Sequence, residues 1–379
     1  ADYAIYRYAQ ILGIEGNLNE KISELRRMET EFSSSKWMPN ALNELAETYV
    51  ATERNAEAAA VYSRMLSRYP SDASSAHARL GMASALMDSG DKEGAVMAYK
   101  EILTMQPSSA EARLADKALR EYYADRQELR EYAQFLRSVP GFSIDAVEME
   151  NLSYEAAERN YLADGKLEGL KKYLKDYPGG AHNAEAWLTL GRHYQDAADK
   201  QNALAAYREL EKTGGAEYAT DAYIGIMRMA DNSGVRADYA RRLRESGGAS
   251  ADVIEEADFY INEGRLSDKS AAVRTQAERR LRELAANPFS EFGARSAVAL
   301  GEHLIETGRN KEALELMEEF TSSGSEHNYW VARGFIVIAD AYAAMGDKYT
   351  SEEYLRSLQR NYPGNEDDIR RACSARLGK

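Results

Sequence analysis

The chain has 379 residues, 44% of them hydrophobic and 29% charged, with a formal net charge of -14 and a single cysteine, Cys373. Such a surface repels phosphate, which argues against nucleic acid as the main partner, and one cysteine excludes an intrachain disulfide framework and any cysteine-rich metal site. No stretch reaches the roughly 20 apolar residues that span a bilayer; with 7 prolines and hardly a β-branched run, the composition is that of an all-α protein.

Ala1-Asp2 leads straight into a helical pattern, without the basic and apolar regions of a secretion signal. Ile5, Tyr8, Ala9 and Leu12 fall at helical spacing with no polar capping helix ahead of them. The ends of a helical stack need such caps, so the chain is expected to be the C-terminal part of a longer array, with a preceding repeat covering Ile5, Tyr8 and Leu12. Three regular helix pairs are expected over 2–34, 39–72 and 76–109. Glu15-Gly16-Asn17 and Ser89-Gly90-Asp91 mark turns inside pairs, a glycine stop followed by a polar start. Tyr49 and Tyr62 supply the bulk in the second pair; Ala83, Leu86 and Tyr99 line the seam of the third.

From 110 to 180 the pattern blurs. A helix around Ala115–Tyr123 is followed by Glu128–Arg137, a loop at Ser138-Val139-Pro140-Gly141-Phe142, and a helix through Tyr154 and Ala157. The favoured reading is an irregular but tolerated repeat. The alternative is a bend or docking point that leaves Tyr122, Tyr123, Tyr132 and Phe135 partly exposed. Regular spacing returns over 184–246, Gly247-Gly248 breaks it, and a degenerate pair follows over 251–290 with stops at Gly264 and Asn287-Pro288. Two near-ideal pairs fill 294–363, carried by Leu300-Gly301-x-x-Leu304, Gly308, Ala313 and Met317, then by Ala339, Tyr342, Gly346 and Leu355. The segment 365–379 has one apolar stripe (Ile369, Ala372, Cys373, Ala375, Leu377) and is expected to form a C-terminal capping helix at a genuine C-terminus.

A register mark supports ten pairs. Equivalent positions fall at Lys21, Ala58, Ala95, Ala203, Tyr239, Ala313 and Ser351, with degenerate ones expected near Tyr132, Lys166 and Ala277. Pro70, Pro107, Pro178, Pro288 and Pro363 each follow such a mark, where a proline ends the second helix because it cannot continue the hydrogen-bond ladder. Pro39 instead opens a first helix, where its missing N–H costs nothing.

The clearest unit is AEAWLTLGRHYQDAADKQNALAAYREL, from Ala184 to Leu210. It spells Trp187-x-x-Leu190-Gly191-x-x-Tyr194 and Ala203-x-x-x-Tyr207-x-x-Leu210. Gly191 is expected to admit a neighbouring backbone, and Ala203 to sit where two helices cross closely. This unit resembles the tetratricopeptide repeat, with Tyr207 where Phe is commoner. The resemblance implies one α-solenoid over 1–379, a right-handed superhelix of about ten helix pairs that binds a protein or peptide in a concave groove of first helices. Arg68-Tyr69-Pro70-Ser71-Asp72 and Asp176-Tyr177-Pro178-Gly179 are similar to linkers of bacterial cell-envelope tetratricopeptide proteins, including outer-membrane assembly lipoproteins. That implies a periplasmic or outer-membrane-associated protein, with a cytoplasmic one as the alternative.

In the groove the resemblance places Leu188, Arg192 and Gln195, then Ile224, Arg228 and Asp231. Arg192 and Arg228 are equivalent in successive repeats and suit bidentate capture of a carboxylate, provided that their guanidinium groups are free. The competing reading is an inter-repeat salt-bridge network with neighbours such as Asp196 and Asp231. The same offsets elsewhere hold Asn43 and Glu47, Leu80 and Ser84, Val298 and Glu302, Ile336 and Asp340. The Lys/Asn clamp of chaperone-tail-binding repeats is absent. Arg241-Arg242-Leu243-Arg244 reads as a solvated helix face, and the 25 tyrosines mostly as seam residues. The five histidines show no ligand spacing, Gly301-Glu302-His303 lacks the second histidine of a zinc helix, and no phosphate loop follows a strand. No catalytic, cofactor-binding or metal-ligating residue is assigned, and no cofactor is expected. The expected function is a non-enzymatic binding scaffold; the alternatives are a helical-repeat enzyme acting on glycan through groove carboxylates and a structural spacer.

Overall fold

The computed structural model describes residues 1–378, and every regular element among them is an α-helix. Ten helix–turn–helix pairs are followed by one last helix. Contacts divide the chain into two compact units, Ala1–His182 and Asn183–Lys379. The first unit holds five pairs: α1 (Asp2–Ile14) with α2 (Leu18–Glu31), α3 (Met38–Ala51) with α4 (Asn55–Arg68), α5 (Ser75–Ser89) with α6 (Lys92–Met105), α7 (Ala110–Asp125) with α8 (Leu129–Leu136), and α9 (Ala146–Asp164) with α10 (Glu168–Asp176). The second holds α11 (Asn183–Asp196) with α12 (Lys200–Thr213), α13 (Gly215–Met229) with α14 (Ser233–Ser246), α15 (Ala251–Arg265) with α16 (Ala271–Ala285), α17 (Glu291–Glu306) with α18 (Asn310–Ser322), and α19 (Asn328–Ala344) with α20 (Lys348–Asn361). The helix α21 (Asp367–Arg376) closes it.

The turns inside the pairs explain the repeat. A residue with positive φ ends the first helix at Gly16, Gly90, Gly165, Gly308 and Gly346, and Glu53, Gln127 and Ala198 take the same place in three further pairs. A polar residue then starts the second helix: the carboxylates of Asp91, Asp199 and Asp347 accept hydrogen bonds from the backbone N–H of Gly94, Asn202 and Thr350. The second helices of α4, α6, α10, α16 and α20 all end just before their prolines, and Pro39 lies in the first turn of α3.

Packing follows the register mark in most pairs. Ala58, Ala95, Ala203, Ala277 and Ala313 are fully buried, and so is Tyr132 in the degenerate fourth pair. Lys166 departs from the expectation. It is exposed in the turn between α9 and α10, because Gly165 ends α9 and the second helix starts only at Glu168. Gly169 makes the close approach instead, where a Cβ would stand 3.1 Å from the Ala157 Cα. Gly191 also differs in what it admits: a ring, not a backbone. A Cβ there would lie 2.8 Å from the Tyr207 ring, and one at Gly225 of the next pair closer still. Tyr207 is thereby wedged between two first helices.

The blurred region is an ordinary part of the first core. Tyr123 and Tyr132 are buried and stacked at 5.3 Å, and the Tyr132 hydroxyl donates to Asp116 at 2.5 Å. At the start of the chain the exposed apolar side chains of α1 are Tyr3, Tyr8, Ile11 and Ile14; of the three residues expected to face outward only Tyr8 does so, Leu12 being buried and Ile5 half-buried. Helix α21 covers the tenth pair through Ile369 and Cys373, packed with Ala332, Ile336 and Leu355.

Candidate interaction surface

The six groove positions are not equivalent. Leu188 on α11 and Ile224 on α13 are half-buried against the core. Gln195 accepts a hydrogen bond from the Tyr207 hydroxyl at 3.0 Å, which fixes the seam and not a ligand. Asp231 lies beyond the end of α13 in the turn, with Lys200 at 3.7 Å.

The two arginines follow the reading of an inter-repeat salt-bridge network and lack the free guanidinium groups that ligand capture needs. Arg192 donates to Asp221 on α13 at 2.9 Å, and Arg228 clasps Glu256 on α15 with Nε at 3.0 Å and Nη2 at 2.7 Å. Arg192 remains 61% exposed, so its bridge is screened and weak, whereas the Glu256 side chain is only 5% exposed. Hydrogen bonding to the Glu256 carboxylate holds the Arg228 guanidinium above its ordinary pKa, although burial works against it. The carboxylate partners sit on the neighbouring first helix, not at Asp196 or Asp231. The other offsets divide in the same way: Val298, Ile336 and Asn43 are buried, while Glu302 pairs with Arg333 and Asp340 with Arg376. Salt bridges between successive first helices therefore lock much of this strip.

Sequence reasoning missed two groups. Asp258 on α15, buried to 1% exposure, accepts from Arg244 of α14 and from Arg280 of α16 at 2.6 Å. The expected solvated arginine run is thus tied down, with Arg242 reaching Glu211 at 3.0 Å as well. The second group surrounds Arg295 on α17. Its guanidinium lies 4.6 Å from the Phe259 ring centroid, 5.0 Å from Phe292, 5.2 Å from Trp330 and 5.3 Å from Tyr260. A signal was present: Tyr260, Phe292 and Trp330 recur about one repeat apart on successive first helices. Nearby Glu263 is half-buried, and burial pushes its carboxyl above the usual carboxylate range against the pull of Arg295 and Arg236.

Among the described residues, no helix is long and apolar enough to cross a membrane, and no three His, Cys, Asp or Glu side chains are grouped to hold a metal ion. The first unit carries an open cleft of about 570 Å³ between α1 and α3, with Ile11, Ile14 and Thr48 beside the Lys21–Glu44 ion pair.

Helix pairs stacked on small-residue seams, with first helices bridged from pair to pair, define a helical-repeat interaction scaffold. Two segments match tetratricopeptide-repeat family models, residues 76–109 and 338–365, which cover the third pair and much of the tenth. The chain carries tetratricopeptide repeats. No curated protein matches it. Among solved structures, the tetratricopeptide domain of P58(IPK) is 14% identical with a TM-score of 0.31, covering 100% of this chain and 97% of that one. The Naa15/Naa10 complex bound to HypK-THB gives 15% identity and a TM-score of 0.43, over 97% of this chain and 59% of the other. The C-terminal part of a TPR repeat-containing protein from Cytophaga hutchinsonii gives 16% identity and a TM-score of 0.32, over 66% of this chain and 98% of the other.

Proposed function

We propose that the chain is a non-enzymatic scaffold that holds a protein or peptide segment against its first helices, in a bacterial cell envelope. One observation carries the choice of face. Of the 13 large apolar side chains left exposed, eight lie on first helices: Tyr3, Tyr8, Ile11 and Ile14 on α1, Val50 on α3, Leu114 on α7, and Val147 and Leu162 on α9. Second helices contribute only Met97, Met105 and Tyr349. Exposed apolar side chains gathered on one class of element are what a partner buries. The envelope assignment rests on the linker phrases at Arg68–Asp72 and Asp176–Gly179.

A photo-crosslinker placed at Ile11, Leu114 or Met97 tests both parts. With extract of the source cell split into envelope and cytosolic fractions, the expected result is one protein captured from the envelope at Ile11 and Leu114 and absent at Met97. Capture at Met97 alone overturns the choice of face. Capture from cytosol alone overturns the compartment.

A further inference from the structure

Of the five first-helix arginines in the second unit, three share one pattern, and Arg265 and Arg295 stand outside it. Arg192, Arg228 and Arg333 each reach a carboxylate on a neighbouring first helix. Arg295 forms no ion pair; its Nη1 donates to the Tyr260 hydroxyl at 3.3 Å. Its Nε is buried without a partner, while Nη2 is neither hydrogen-bonded nor buried. Nε and Nη2 form one edge of the guanidinium, the same edge with which Arg228 clasps Glu256. On Arg295 that edge is vacant.

The surroundings keep it fixed. Four rings from α15, α17 and α19 lie within 5.3 Å of the guanidinium, so little side-chain freedom is left to lose on binding. A second guanidinium, Arg236, lies 4.8 Å from the Tyr260 ring, and its Nε is also buried without a partner. Glu263, the acid that feels both charges, forms an ion pair or hydrogen bond with neither. Arg295 and Arg236 against Glu263 leave the spot positive within an acidic protein, the next acid, Glu302, being paired with Arg333. A guanidinium keeps its proton, so an incoming carboxylate meets a fixed positive charge here.

We propose that Arg295 is the anchor for a carboxylate of a partner segment lying across α15, α17 and α19, taken by Nη2, the one guanidinium nitrogen both unpaired and accessible, with Trp330 and Phe292 flanking the segment. This rests on the reading of first helices as the interaction face. It moves the acidic-ligand site away from Arg192 and Arg228, whose guanidinium groups are already occupied.

The test uses the full chain, labelled with 15N in its arginine side chains, and an N-acetylated tetraglutamate amide as probe, with inorganic phosphate in a parallel titration. Peptide is expected to move the Arg295 Nε resonance, identified by its loss in Arg295→Lys. Arg295→Gln and Arg295→Lys should each weaken peptide binding about tenfold or more, the worth of a charge-assisted hydrogen bond. Arg279→Gln, on an exposed face of α16, should leave it unchanged. Should Arg295→Gln fail to fold by circular dichroism, Arg295→Lys alone decides, because it keeps the charge and removes Nη2. Equal peptide affinity in the Arg295 variants, no peptide binding up to millimolar concentration, or phosphate binding as tightly as peptide overturns the anchor. None of these alters the crosslinks expected at Ile11 and Leu114, so failure of the anchor is distinguishable from failure of the face.

Discussion

Residues that look alike in the strip of first helices differ because their partners differ in burial. Removing Arg228 strands Glu256 in the interior; breaking a buried pair from one side costs about 3–5 kcal/mol, and Arg228, still 37% exposed, puts this case near the lower end. Arg228→Ala should therefore lower unfolding stability by about 3 kcal/mol, whereas Arg192→Ala should change it by less than about 1 kcal/mol because its bridge to Asp221 is exposed. Urea unfolding of the two variants side by side checks this. Glu263 predicts a pH signature. Its folded pKa is raised by burial, so the ionised side chain is a penalty present above that pKa and absent below its ordinary value. Glu263→Gln should stabilise the protein at neutral pH, with the gain shrinking as pH falls through the folded pKa. A gain that grows on acidification contradicts this assignment.

At the scale of the helix pair, stability depends on left-handed turn residues and on glycine seams. Ala198 holds φ 58 where most other pairs use glycine, a conformation that costs an L-residue roughly 1–2 kcal/mol. Ala198→Gly should gain about 0.5–1 kcal/mol once the greater unfolded-state freedom of glycine is counted; a loss in thermal melting would show that the turn is not strained. Gly225→Ala drives a methyl into the Tyr207 ring and should cost about 1–3 kcal/mol, with less than additive loss when combined with Tyr207→Leu. The pairs were legible in the chain because prolines and glycine stops are local signals with local causes. Lys166 was misplaced for a local reason too: Gly165 delays the second helix, and counting at a fixed period cannot register a late start. The pairing of Arg192 and Arg228 was not legible. Their partners lie 29 and 28 residues away, and only the crossing of first helices decides which acid each meets. Arg295 was hidden for the same reason, since its rings come from three helices.

For the molecule, two compact helical units offer first helices as one kind of surface and second helices as another. Arginine–carboxylate bridges stiffen the first helices of the second unit, while exposed apolar side chains collect on those of the first unit. Within the second unit, first helices held by such bridges lose little entropy on binding, and within the first unit the exposed apolar side chains offer area to bury; each is a physical case for a scaffold. Hydrogen–deuterium exchange on the full chain, with and without the partner captured at Ile11, tests this claim most directly. Slowed exchange confined to first helices, strongest in α1, α3, α7 and α9, is the predicted result. Protection confined to second helices such as α6 and α20 would contradict it.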